Sequence, residues 1–181
     1  MNKVKRNLFY ILLGTLTGLL LIASSNFPFS LPLSPAAAQE TPPQITRYVA
    51  ALTRSDIVPT PASTSAFGAA GAILVGDRLV VRGDFSNLAG ELRDYATDPL
   101  DPPNPNITSA VHIHQGAPDV NGPFQYALTV SPDSTGRAGR FSGDYTLTPE
   151  QLQALANGEL YVDIHTTRNR GGELRGIFQP Y

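Results

Sequence analysis

His112 and His114, two residues apart in the run His112-Ile113-His114-Gln115-Gly116, and His165, in Tyr161-Val162-Asp163-Ile164-His165-Thr166, are the only histidines of the 181-residue chain. Imidazole nitrogens are the commonest metal ligands, and three of them converging form a site for zinc or copper with a fourth position open to water. Both segments alternate polar and apolar residues, the pattern of a β-strand. Successive strand side chains leave opposite faces. Val111 and Ile113 therefore point one way and His112 and His114 the other. Likewise Val162 and Ile164 point one way and Tyr161, Asp163 and His165 the other. If the apolar faces are the core faces, all three imidazoles lie on the non-core side, and they meet only if the two strands are close in one sheet. Asp163 is then a fourth ligand or an acceptor for an imidazole N–H. The competing reading is structural: the rings act as polar locks, bonded to Thr166, Asn121 or the backbone. An imidazolate-bridged pair of ions would need about six histidines, so at most one ion is held.

Other residue types narrow the chemistry. In the last segment Glu173, Arg175 and Ile177 share one face and Leu174, Gly176 and Phe178 the other. Arg175 is expected to pair with Asp163 across strands and so fix the register; the rival use is binding an anionic ligand. Gly116, Gly122, Gly171 and Gly172 lie between strands rather than at the start of a helix, so they serve turns and not a phosphate cradle. There is no Gly-x-Ser-x-Gly elbow and no obvious carboxylate pair for glycoside hydrolysis. The chain reads as non-catalytic.

The elements that must position these residues are short. Ile45–Leu52 is a first strand. Ala72–Val75 and Arg78–Phe85 flank Gly76-Asp77 as a β-hairpin. Tyr95–Thr108 holds four prolines and is a surface loop leading into the His112 strand. Phe124–Val130, Arg140–Leu147, Glu159–His165 and Glu173–Gln179 are further strands. One helix is signalled: Thr148 as N-cap, Pro149 at N1, Gln151 completing a capping box and Gly158 past the end. Leu152, Leu155 and Ala156 supply its apolar stripe. Seven or eight strands in mostly hairpin order, with one short helix, predict an all-β fold, an antiparallel sandwich or barrel.

Residues 1–38 read as a secretory leader. Lys3, Lys5 and Arg6 precede an apolar run from Leu8 to Ile22, and Ala36-Ala37-Ala38 before Gln39 is a cleavage site. The rival is a retained membrane anchor, for which the run is short against the ~20 residues a span needs. Residues 39–44 form a flexible leader and 45–181 the β domain. Removing Lys3, Lys5 and Arg6 leaves ten basic residues, all Arg, against fifteen acidic ones, a formal charge of −5. No basic patch fit for nucleic acid or an anionic membrane is visible. The chain has no cysteine, so neither disulfides nor thiol chemistry contribute. The expected location is periplasmic or secreted. The expected partner is an extracytoplasmic protein or ligand, presented to the Tyr95–Thr108 and Gln115–Pro123 loops.

Two long blocks, His112-Ile113-His114-Gln115-Gly116-Ala117-Pro118-Asp119-Val120-Asn121-Gly122-Pro123 and Tyr161 through Gly176, resemble the CHRD (chordin) domain pattern in order and spacing. The resemblance covers roughly residues 45–181. Its motif positions include Gly116, Asn121, Gly122, Gly172, Glu173 and Arg175. Asp119, Asp163 and Arg170 depart from it, standing where a small residue, Asn and Pro are usual. The resemblance implies an exported β-protein of immunoglobulin-like barrel type, here a stand-alone single domain. In animal chordins such domains belong to an extracellular antagonist of growth factors. That role does not transfer, because a fold does not fix a function.

Overall fold

The computed structural model describes residues 43–181; the expected secretory leader lies outside them. The elements run β1 (Ile45–Leu52), β2 (Phe67–Val75), β3 (Arg78–Ser86), β4 (Val111–Gln115), β5 (Phe124–Ala127), β6 (Thr129–Pro132), β7 (Gly139–Thr146), α1 (Pro149–Ala156), β8 (Leu160–Ile164), β9 (Leu174–Ile177) and β10 (Gln179–Pro180). They build two antiparallel sheets, β10-β1-β2-β3-β7-β6 and β5-β4-β8-β9. The fold is an all-β sandwich with one short helix. Among the described residues no helix is long and apolar enough to cross a membrane.

Strict alternation builds the larger sheet. Tyr48, Ala50 and Leu52 of β1, Ala70 and Ala72 of β2, and Leu79, Val81 and Phe85 of β3 are buried, while their sequence neighbours face outward. The β2–β3 hairpin closes Val75 onto Arg78 around Gly76, whose φ of 63° suits a primed turn that begins with glycine. Val111, Ile113, Val162, Ile164 and Leu174 of the smaller sheet join these residues in one hydrophobic cluster. The apolar face of each histidine-bearing strand is therefore its core face.

Four expectations need correction. Phe124–Val130 is not one strand. It breaks at buried Leu128, whose N–H donates to the Val111 carbonyl at 2.9 Å, so β5 stays in the smaller sheet and β6 crosses to the larger. The last segment breaks in the same way at buried Phe178, whose N–H donates to Leu160 O at 3.0 Å. Glu173 precedes β9 and His165 follows β8, so neither is a strand residue. On α1 the capping box forms as expected, but the buried positions are Gln151, Ala154 and Leu155, with Ala156 outside. Gln151 is buried because its side chain is consumed by bonds: Oε1 accepts from Thr148 N and Tyr126 Oη, and Nε2 donates to Gln125 Oε1.

Candidate metal centre

β4 and β8 are direct neighbours, with His112 opposite Asp163 and His114 opposite Tyr161. β9 lies beyond β8 and sets Arg175 opposite Asp163. A row His112–Asp163–Arg175 thus crosses three strands on the face away from the hydrophobic core. His165 continues the β8 line for one more residue: its N–H donates to Ala110 O at 2.9 Å and its carbonyl accepts from Arg93 N at 3.1 Å. It keeps the parity of Asp163 and returns to the same face. The His112 ring centroid lies 4.7 Å from that of His114 and 4.6 Å from that of His165, the latter pair stacked. One ring nitrogen from each of the three lies within 4.8 Å of the others. Ligands sharing a tetrahedral ion at ~2.0–2.1 Å sit about 3.4 Å apart. Closure around an ion therefore asks the rings to move by roughly an ångström.

The six ring nitrogens divide into two sets. His112 Nδ1 lies 2.9 Å from Ser109 O, His114 Nδ1 2.8 Å from Gly122 O, and His165 Nδ1 3.0 Å from Arg170 O. A carbonyl only accepts, so each Nδ1 carries the proton and donates it. Every neutral ring is thereby fixed in the tautomer whose Nε2 lone pair is free. Nε2 of His114 and of His165 are buried without a hydrogen-bond partner. Burial pushes His112 down to about 3, helped by the neighbouring His165 and His114, and pushes His165 down to about 4. It lowers His114 as well. At neutral pH the cluster is three uncharged imidazoles.

The non-core face proves to be buried too, which the alternation pattern does not reveal. His112 and His165 are 2% and 8% exposed. Tyr95 covers them, its ring 6.0 Å from His112 and 6.5 Å from His165. Phe124 packs edge-on to His112 at 5.5 Å, and Tyr161 stacks on His114 at 5.4 Å. Buried Arg93 straps the cover down: it bonds the Asp98 carboxylate at 2.9 Å, Pro99 O and Arg170 O, and lies 4.6 Å from the Tyr95 ring centre. Arg93 and Tyr95 were not among the expected site residues. The only sequence signal near them is the proline-rich stretch that follows.

Asp163 and Arg175 meet as a bidentate pair, Nε–Oδ1 and Nη2–Oδ2 both at 2.8 Å. Arg175, 1% exposed, also donates to Val120 O at 3.2 Å and Asn121 Oδ1 at 2.8 Å, and stacks 4.0 Å over the Tyr161 ring. It therefore binds the Gln115–Pro123 loop to the sheet rather than facing solvent. Asp163 Oδ2 stands 3.9 Å from His114 Nε2, beyond hydrogen-bond reach. Gly122 permits the loop to return, since a Cβ there would lie 1.9 Å from Gln115 O. Gly172 has φ 129°, and a Cβ would meet Ile57 Cδ1 at 2.8 Å. Thr166 and Asn121, the side chains considered as histidine partners, bond Glu173 and Arg175 instead. Glu173 accepts from Thr64 Oγ1, Ala89 N, Thr166 Oγ1 and Asn169 Nδ2. Burial pushes its carboxyl up, but these donors outweigh it and hold the group below its ordinary range.

A family model described as CHRD domain matches residues 48–178. No curated protein and no solved structure matches the chain.

Proposed function

The chain belongs to the CHRD domain family, and we propose that it is an exported, non-catalytic β module whose clustered His112, His114 and His165 hold a single zinc or copper ion. One observation carries the reading. All three Nδ1–H groups are spent on backbone carbonyls, while two Nε2 lone pairs are left buried and unpartnered. A buried polar atom without a partner costs roughly 1–3 kcal/mol. An N–H donated from the far side of a ring is the usual support of a metal-bound histidine. Asp163 in this reading is an outer group, held by Arg175 with its Oδ2 3.9 Å from His114 Nε2. Export is supported by the N-terminal segment and by the occurrence of CHRD domains in extracellular proteins. The enclosure of the rings by Tyr95, Phe124 and Tyr161 supports binding rather than turnover of a substrate.

Metal analysis of the purified chain after saturation and buffer exchange tests this. About one equivalent is expected in the wild type and well under that in His112→Ala and His165→Ala, following the ligand count. A folded wild type that retains almost none contradicts it. A second reading is favoured by the same Nδ1 bonds: the rings tie three loops to the sheet as polar locks. It predicts that both variants lose much of their metal-free stability, and that added metal changes nothing.

A further inference from the structure

An ion among these rings has no anionic donor among the converging side chains. Its three donors are neutral. The nearest carboxylate, Asp163, has both oxygens committed to buried Arg175 at 2.8 Å. Asp98, bonded by the arginine that packs on Tyr95, is committed to Arg93 at 2.9 Å and also to Arg170. Two acids stand against three guanidiniums, those of Arg175, Arg93 and Arg170, so the surroundings hold no surplus negative charge before an ion arrives. The cost of burying an ion rises with the square of its charge, so a divalent ion here is penalised about four times as heavily as a monovalent one of similar size.

Coordination number points the same way. The converging donors are His112, His114 and His165 and do not include Asp163. The walls are the rings of Tyr95, Phe124 and Tyr161. Zinc almost always takes four ligands and would need an anion or water beside them, or one of the Arg175-bound oxygens. Copper is well served by imidazole, and in its monovalent state it accepts three donors in a plane. Resting on the metal reading above, we infer that the site selects copper(I) over zinc(II), holding it on three nitrogens without a fourth ligand.

The test is anaerobic. The purified full chain, with ascorbate present, is titrated against copper(I) bicinchoninate, and separately against zinc(II) with a chromophoric chelator. X-ray absorption is recorded on the copper-loaded sample. One equivalent of copper(I) is expected, with a Kd roughly a hundredfold or more below that for zinc, the direction set by charge burial, and a shell of three nitrogens. Zinc bound at one equivalent as tightly as copper(I), or a fourth nitrogen or oxygen donor in the copper shell, overturns the selectivity and leaves the metal site standing. Binding of neither ion overturns both. Because these readouts use the wild type, misfolding of a histidine variant cannot mimic either result.

Discussion

At the residue scale the centre of the site is a set of proton positions. Folding fixes a proton on each Nδ1, leaves Nε2 of His114 and His165 without a partner and buries the rings, and burial makes them resist a second proton. Their folded pKa values lie below the ordinary 6.5, at about 3 for His112 and about 4 for His165. The unfolded chain therefore takes up protons first as the pH falls. Metal-free stability should be full above about pH 6.5 and decline progressively toward about pH 3, and denaturant melts across that range should show the slope. The slope should flatten in His165→Ala; an unchanged slope would mean the rings are not buried neutral. The Asp163–Arg175 pair makes a second prediction. Arg175→Met should cost about 3–5 kcal/mol, because it leaves a buried carboxylate unpaired. Adding Asp163→Asn should recover part of the loss, as a double-mutant cycle would reveal. That Asp163 and Arg175 meet was legible in the residues, since an arginine on a strand after a tight turn pairs with a cross-strand acid and Asp163 was the obvious one. The acceptors for the imidazoles were not, because Ser109 O, Gly122 O and Arg170 O are backbone atoms, which every residue has.

At the element scale, alternation fixed which face of β4 and of β8 meets the core, and the Thr148–Gln151 box fixed the start of α1. Alternation did not announce the sheet changes at Leu128 and Phe178, because an apolar residue that turns from one sheet to the other continues the same pattern. Nor did it announce that loops close over the second face. That closure depends on Arg93, with its bonds to Asp98, Pro99 and Arg170, and on Glu173, which gathers donors from residues 64, 89, 166 and 169. Glu173→Ala strands several of those donors and should destabilise the chain by on the order of 3 kcal/mol, measured by urea unfolding. A loss under about 0.5 kcal/mol, the size typical of surface changes, would show that the knot is not structural. Gly122→Ala should disturb metal retention as well, because the Cβ displaces the carbonyl that orients His114.

At the scale of the whole molecule the sandwich has two interiors: an apolar one between the sheets, and a polar, aromatic-walled one outside the smaller sheet. With no disulfide in the chain, the second must be held by hydrogen bonds and buried ion pairs, and an ion at its centre would add stability by mass action. A metal at a hundredfold excess over its Kd contributes about 2.7 kcal/mol, and for a domain of this size that raises Tm by roughly 5–15 °C. The rise should vanish in His112→Ala. The most direct test of the account is the imidazole nitrogen NMR spectrum of the full chain at neutral pH, recorded before and after one equivalent of copper(I) or zinc(II). Three rings protonated at Nδ1 are expected in the metal-free protein, and displacement of all three Nε2 resonances once the ion is added. A ring protonated at Nε2, or three Nε2 resonances that ignore both ions, would contradict it.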